Sequence, residues 1–178
     1  MLIRRDVFLK VGGFDERYFA YFDDADLCWR FWLAGYSVQY EPRARVLHAY
    51  GGSARGGRLS LFRLEHCQTN RLQNMFKHLE TRTLLCMLPV SAAFDAARTF
   101  QLLRAGRRDG VYALIRGTRR FASLLPQVMA ERRRIQAERR RSDADLRDVG
   151  ALASLLEASH EWQRLGGLRV SPASEGRP

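Results

Sequence analysis

Residues 12–30 read GGFDERYFAYFDDADLCWR, and this stretch decides how the N-terminal part of the chain is organised. Two adjacent glycines can take the left-handed conformation that ends a helix, so a short helix over Asp6–Val11 should stop there. An aromatic-rich loop, Phe14–Phe22, follows. The acidic run that begins at Asp23 predicts a second helix, ending at Gly35, because carboxylates accept hydrogen bonds from free amides and match the positive end of a helix dipole.

Downstream of this helix, Ser37–Tyr40 and Arg45–His48 have the composition of short strands separated by a turn at Glu41-Pro42. The glycines between 51 and 57 predict a loop. From Leu59 to about Trp162, apolar residues recur at three- and four-residue steps, which predicts helix.

Breaks in this helical part are expected at Pro89, at the glycines between 106 and 110, and at Pro126, giving four helices. The last of them would span Met129–Arg141. A weakly amphipathic segment around Leu152 and a small, polar tail, residues 171–178, complete the chain, and the tail is expected to be disordered.

Positive charge is concentrated in the middle of the chain. The 178 residues include 30 basic and 19 acidic side chains, a net charge of +11, and residues 61–141 alone hold 17 basic and 6 acidic ones. Nearly all the basic residues are arginines, which bind phosphates through a planar fork. This favours a polyanionic partner, whether a nucleic acid, a nucleotide or an anionic membrane surface.

Three scattered cysteines form neither a disulfide framework nor a C-x-x-C zinc pair, as is typical of a reducing compartment. The N-terminus has no apolar core of signal-peptide length, so we do not expect secretion. The longest uncharged run, residues 83–94, has twelve residues, whereas a spanning helix needs about 20. These features predict a cytoplasmic chain that does not cross the membrane and that could lie peripherally at its inner face.

Two features could carry chemistry. The doubled carboxylate Asp23-Asp24 could take a proton from an acceptor hydroxyl and organise a cation, although helix capping alone would also explain it. His48, placed between a predicted strand and a glycine-rich loop, could bind a divalent metal or diphosphate oxygens, or could be structural. Neither feature is specific by itself.

The order and spacing of the segments are more specific than any one of them. GGFDE (12–16), YFxYFDDADLCWR (18–30), AGY (34–36), YxPxAxVxH (40–48) and GGS (51–53) stand in one continuous run. In this order they resemble the C-terminal half of the catalytic domain of family 2 glycosyltransferases, most closely the rhamnosyltransferase-like branch. The resemblance covers residues 1–60.

The resemblance implies an α/β fold, part of a GT-A domain, for residues 1–60. Periodicity and composition predict a basic helical region (61–141) after it, and then a short helix with a disordered tail (142–178). The resemblance also implies transfer of a sugar, with inversion, from a nucleotide-diphosphate sugar to a glycan or lipid-linked acceptor in cell-surface polysaccharide synthesis. The family's donor-binding strands and metal-binding D-x-D have no counterpart here. We therefore expect a fragment, either a truncated gene or internal start, or one piece of a split enzyme whose N-terminal half is on another chain.

The same resemblance assigns roles to individual residues. Asp24 would be the catalytic general base, and His48 would help to hold a divalent cation, Mg²⁺ or Mn²⁺, together with the diphosphate. The positions that would bind the acceptor and donor sugar are Gly12, Gly13, Phe14, Asp15 and Asp23. Asp23 stands where the family more often has glutamate, and Asp26 is expected to cap its helix or to pair with Arg30, four residues on.

Other interpretations remain open from sequence. The chain could be a non-catalytic basic helical protein that binds nucleic acid or acts as an interaction module, or an inactive remnant. Nucleic acid is the less favoured partner, because no nucleic-acid fold signature is present and glutamates interrupt the arginines. The arginines at 132–141 could be a docking surface or a solvated helix face. Residues 61–141 could lie on a membrane or form a bundle against residues 1–60.

Overall fold

The computed structural model describes residues 1–47 and 60–153, together with residues 157 and 160. The described residues form six helices, which are α1 (Arg5–Lys10), α2 (Asp23–Leu33), α3 (Leu61–His78), α4 (Thr81–Arg104), α5 (Arg108–Ala137) and α6 (Asp143–Asp148). α3 is central, because it packs on α2 on one side and along α5 on another. None of the helices in the described ranges has the length and apolar character needed to cross a lipid bilayer.

The α/β fold expected for residues 1–60 is wrong, because the described part of this region contains helix and irregular chain but no strand. A strand needs a neighbour to bond its amide and carbonyl groups, and residues 36–47 have no ladder partner among the described residues. Tyr40 and Val46, which were expected on strands, are instead 89% and 82% exposed. The rest of the second expected strand, at His48, lies outside the described residues.

The first two helices form as predicted and pack on each other. Val7 and Val11 contact Leu27 and Phe31 in a small apolar core. Gly12 and Gly13 have φ angles of +86° and +67°, which side chains with a Cβ rarely adopt, and their amides bond to carbonyls of α1. The glycine pair therefore ends α1 as the sequence indicates.

Between Leu61 and Arg141 the structure has three helices, not the four expected, since α4 and α5 continue through Pro89 and Pro126. Both prolines lie on exposed helix faces, where water can reach the carbonyl that each proline leaves unpaired. The break at 106–110 is confirmed, whereas the break between α3 and α4, at Leu79-Glu80, carries no glycine or proline and was not predicted.

α3 and α5 approach each other closely at Gly117. A Cβ on this residue would lie 2.6 Å from the carbonyl oxygen of Glu65, and the Thr69 hydroxyl donates to the Gly117 carbonyl at 3.0 Å. Around this contact, Leu72 and Met75 of α3 pack against Phe121 and Val128 of α5. Glycine is needed here because the two backbones nearly touch.

The arginines at 132–141 are mostly used inside the molecule. Arg132 donates to the carbonyls of Phe76 and Leu79, both at 2.6 Å, and Arg139 donates to the carbonyl of His78 at 2.9 Å. These are carbonyls at the end of α3, which have no partner within the helix. The cluster is therefore neither a free docking surface nor simply a solvated face, because much of it caps α3.

Candidate functional site

The candidate site is the turn at Tyr21-Phe22, which leads directly into the acidic start of α2. Tyr21 and Phe22 have φ angles of +68° and +66°, and they are the only non-glycine residues with positive φ in the described chain. Two successive residues in this conformation are strained and persist only when their surroundings hold them. Asp24, two residues after Phe22, is exposed, and its carboxylate accepts from the Ala25 amide at 2.8 Å.

Side chains of α3 hold this turn through its backbone. The Asn70 side-chain amide donates to the carbonyls of Ala20 and Tyr21 at 2.9 and 2.8 Å. The Tyr18 hydroxyl donates to Asn74 Oδ1 at 2.5 Å, and Asn74 in turn reaches the Phe22 carbonyl at 3.5 Å. Both asparagines are buried. The position of the Asp23-Asp24 pair is therefore set by a helix some fifty residues further along the chain.

A buried charge cluster lies beneath the turn. Lys77 is fully buried, and its ammonium group pairs with Asp15 at 2.8 Å and also contacts Asp26 Oδ1. The same ammonium lies 4.6 Å from the centre of the Tyr18 ring, within cation–π range. A lysine is almost never buried unless it is paired. Here its two carboxylates come from the loop and from α2, so the cluster ties both to α3.

Asp26 is the centre of this cluster. Its Oδ2 accepts from Arg30 Nε at 2.9 Å, which confirms the predicted i, i+4 pair, and Arg30 also donates to the carbonyls of Val11 and Gly13, both at 2.7 Å. Its Oδ1 lies 3.2 Å from His78 Nε2. The His78 ring is fully buried and stacks on Trp29, with ring centres 4.9 Å apart.

These surroundings change the proton affinities of the cluster. Burial alone would raise the pKa of Asp26, but His78, Lys77 and Arg30 outweigh it and hold the pKa well below its usual range. Burial also opposes ionisation of Asp15, and Arg17 and Lys77 again lower its pKa. For His78, burial lowers the pKa more than Asp26 raises it, which favours the neutral imidazole. Burial raises the pKa of Tyr18, so its hydroxyl stays protonated and donates to Asn74.

The two groups of carboxylates therefore differ in what they can do. Asp15 and Asp26 have side chains that are 8% and 0% exposed and are taken up by internal cations. Asp24 is exposed at the rim of the turn, and no cation contacts it within the described residues. The arrangement exposes the Asp24 carboxylate, which can accept a proton from a bound hydroxyl, on a backbone that side chains of α3 hold in place.

The structure places the sequence-predicted pocket residues as follows. Gly12 and Gly13 lie at the end of α1, where Arg30 holds their loop and Arg134 approaches Gly12. Phe14 is half exposed and packs edge-on against Phe8, with ring centres 5.6 Å apart. Asp15 points inward to Lys77, and Asp23 is partly exposed beside Asp24. Their substrate-binding roles stay predictions.

His48, the predicted metal ligand, lies outside the described residues. Within 1–47 and 60–153, no three histidine, cysteine, aspartate or glutamate side chains come together as a metal site would require. The described residues therefore do not form a ligand set for the divalent cation that the resemblance implies, and we derive no chemical step through it.

Sequence reasoning missed the residues of α3 that build this site. The sequence does contain a signal for them, because polar residues recur at three- and four-residue steps along one helix face. These positions are Asn70, then Gln73 or Asn74, then Lys77 or His78. Such a polar stripe normally indicates a solvated face. Only the packing of the aromatic loop onto it makes it the inner face.

Comparison with known proteins adds a short, clear likeness. A stretch of 48 residues, 27% of this chain, is 54% identical to the N-acetylglucosaminyl-diphospho-decaprenol L-rhamnosyltransferase of Mycobacterium tuberculosis and covers 16% of that protein. Over 48 residues the chain is also 46% identical to Rhamnosyltransferase WbbL of Escherichia coli, covering 18% of it. The matched part thus spans less than a fifth of the curated relatives' length, and it relates the chain to glycosyltransferases over that segment.

No family model matches the chain, and no solved structure matches it.

Proposed function

We propose that this chain provides the acceptor side of an inverting family 2 glycosyltransferase, and that it carries the C-terminal part of that catalytic unit. The reaction is transfer of rhamnose from a nucleotide-diphosphate donor to a lipid-linked, diphosphate-bearing sugar in polysaccharide synthesis at the cytoplasmic side of a membrane. The rhamnosyltransferase relatives, one of them named for a decaprenol-linked acceptor, support the sugar and the acceptor class. The motif order in residues 12–53 supports the family.

The observation that carries the proposal is the exposed Asp24 at a strained turn. Holding Tyr21 and Phe22 in the left-handed region costs free energy, of order 1–3 kcal/mol for each residue. Asn70 and Asn74 offset this cost by bonding to the carbonyls of the turn. Strain of this kind concentrates at functional sites, where it positions a reacting group.

Asp24 is the general base in this proposal. It accepts the proton of the acceptor hydroxyl while the hydroxyl oxygen forms a bond to the anomeric carbon of the donor. The bond from that carbon to the diphosphate breaks on the opposite face, so the sugar is inverted and the nucleotide diphosphate leaves with the electron pair. Asp23 and the loop from Gly12 to Asp15 border the two sugars.

In this proposal the donor's nucleotide binds the family's donor-binding strands, which have no counterpart among the motifs of residues 12–53. A divalent cation, Mg²⁺ or Mn²⁺, with His48 among its ligands, is part of the proposal. Loss of transfer in a chelator and its recovery on adding Mn²⁺ would test that part separately.

The main experiment is a fusion in which the donor-binding portion of the Escherichia coli relative precedes the full 178-residue chain, so that α3 still supports the turn. Transfer from a nucleotide-diphosphate rhamnose to a lipid-linked acceptor is measured. Asp24→Asn should lower turnover by about 10²–10⁴-fold, as removal of a general base does.

The matched control is Asp6→Asn, which makes the same chemical change at an exposed carboxylate on α1 whose ion pair, among the described residues, is with Arg4. Near-normal turnover of the Asp24→Asn fusion, with a folded protein, would exclude Asp24 as the base. Equal loss in both variants would indicate a general effect of charge and would also contradict the assignment.

A further inference from the structure

The outward face of α4 is apolar along almost its whole length. Every exposed position from 85 to 103 is apolar. The large side chains among them are Leu85, Leu88, Val90, Phe100 and Leu103, and Leu85 and Phe100 are 61% and 59% exposed. The remaining exposed positions in this range are alanines, a cysteine and a proline. We call this surface the α4 face.

In the middle of the same helix, two polar side chains face α3. Ser91 and Asp95 of α4 accept hydrogen bonds from Arg71 of α3 at 2.6 and 2.8 Å, and Gln68 donates to Asp95 at 2.9 Å. The helix thus uses its polar positions to bind α3 and leaves its apolar ones in contact with water. An exposed apolar surface of this extent normally marks a surface that something else covers.

Charge is distributed around the α4 face in a distinctive way. Arg82 and Arg104 lie at its two ends, both exposed, and Arg108 is exposed just beyond the turn that follows. With a rise of 1.5 Å per residue, Arg82 and Arg104 are about 33 Å apart along the helix. No acidic side chain is exposed between them. The face is therefore an apolar strip with cations at both ends.

We propose that the α4 face lies in the headgroup region of an anionic lipid bilayer, with the helix parallel to the membrane plane. The apolar side chains enter the boundary of the acyl chains, while Arg82, Arg104 and Arg108 bind lipid phosphates. Leu84 is not part of this contact because it is buried in the core. The proposal concerns membrane binding alone and does not depend on the transferase activity.

Chemistry favours a lipid surface over a protein partner. Protein interfaces typically carry about one hydrogen bond per 100–200 Å², and the exposed positions from 85 to 103 offer no side-chain hydrogen-bonding group except a cysteine thiol. Acyl chains need no such group. The net charge of +11 within residues 61–141 further favours an anionic surface.

The test is sedimentation of the full chain with vesicles of phosphatidylglycerol and phosphatidylcholine, compared with vesicles of phosphatidylcholine alone. We expect binding to the anionic vesicles that weakens as salt is raised. Leu85→Glu and Phe100→Glu should each weaken binding about tenfold or more, because each removes a large apolar contact. The matched control is Leu9→Glu, which makes the same charge change at an exposed leucine of α1 and should bind almost as wild type.

A second measurement reports the depth of insertion. Phe100→Trp keeps an aromatic side chain on the α4 face, and brominated acyl chains should quench its fluorescence. Failure of the wild-type chain to bind anionic vesicles at low salt would overturn the proposal. A Phe100→Glu chain that binds the vesicles as wild type does would also overturn it. So would a wild-type chain that is a dimer in solution and becomes a monomer on Phe100→Glu, because a second copy would then cover the α4 face.

Discussion

α3 and α4 follow each other along the chain and bury opposite kinds of side chain. α3 buries two asparagines, two glutamines, a lysine and two histidines, whereas α4 buries only Leu84, Ser91 and Leu102 and exposes most of its apolar side chains. Judged by composition alone, α4 would be the central helix and α3 the surface helix. The comparison teaches that burial is decided by what a helix can bind, and not by its mean polarity.

α3 buries polar side chains because it packs against backbone carbonyls and carboxylates, whereas α4 packs against few such groups. The aromatic loop and the start of α2 present carbonyls and carboxylates that need partners, and α3 provides donors for them. A buried polar group that is paired costs little, while an unpaired one costs about 1–3 kcal/mol. α4 has few such partners outside its contacts with Arg71 and Gln68. Four measurements would break or sharpen this contrast.

The largest expected effect is at Lys77, the fully buried lysine of α3. Lys77→Met should lower the free energy of unfolding by about 3–5 kcal/mol, because it leaves two buried carboxylates without their shared cation. Urea unfolding followed by circular dichroism measures this. The matched control is Lys10→Met, which removes the chain's other lysine from an exposed position and should change stability by less than about 0.5 kcal/mol. Similar values for both would mean that the cluster does not hold the loop on α3.

Acid should destabilise α3's contacts in two steps. The pKa of His78 is lower in the folded chain than its ordinary value of about 6.5, so the unfolded chain binds more protons and stability falls as pH drops below that value. The pKa values of Asp15 and Asp26 are also lowered. Their contribution is present above about pH 3.9 and is lost as pH falls through their folded pKa values.

Unfolding free energies measured from pH 8 to pH 3 would show the upper step and the onset of the lower one, which continues below pH 3. His78→Gln should abolish the upper step and leave the lower one. A wild-type curve that is flat between pH 7 and pH 5 would contradict the buried, neutral His78.

A smaller effect is expected at Asn70. Asn70→Ala removes the donor to two carbonyls of the strained turn and should cost about 1–3 kcal/mol. Limited proteolysis should also cut the loop between Phe14 and Phe22 more readily. Gln127→Ala, an exposed amide on α5, is the matched control. An Asn70→Ala chain as stable and as resistant as wild type would show that the turn does not need α3.

The smallest effect is expected on the α4 face. Phe100→Ser should change the free energy of unfolding by less than about 0.5 kcal/mol, because the ring is mostly exposed in the folded chain. Two residues on, Leu102 is only 2% exposed, and Leu102→Ala should cost about 2–5 kcal/mol. Thermal unfolding of the two variants compares them directly. A large loss for Phe100→Ser would mean that the α4 face is covered within the chain itself.

Local signals predicted the parts of the fold that depend on neighbouring residues. The glycine pair after Val11, the acidic start of α2 and the Asp26–Arg30 pair are all confirmed, because helix ends and i, i+4 contacts lie within a few residues of each other. The strands expected at residues 37–40 and 45–48 were predicted from local composition, and the prediction is wrong over 37–40 and 45–47, the part that the structure describes. Strand formation requires a distant partner, and the composition of the segment says nothing about whether one is present.

The candidate site divides in the same way. The sequence by itself determined that Asp23 and Asp24 begin a helix after an aromatic loop, since capping and helix dipole act over a single turn. Only the tertiary structure decided that Tyr21 and Phe22 are held in the left-handed region, that Lys77 is buried between two carboxylates, and that the α4 face is left uncovered. The first two features depend on contacts between residues some fifty or more positions apart, and the third on contacts of α4 with α3 between residues twenty or more positions apart. A one-dimensional pattern cannot specify which distant groups will satisfy each other.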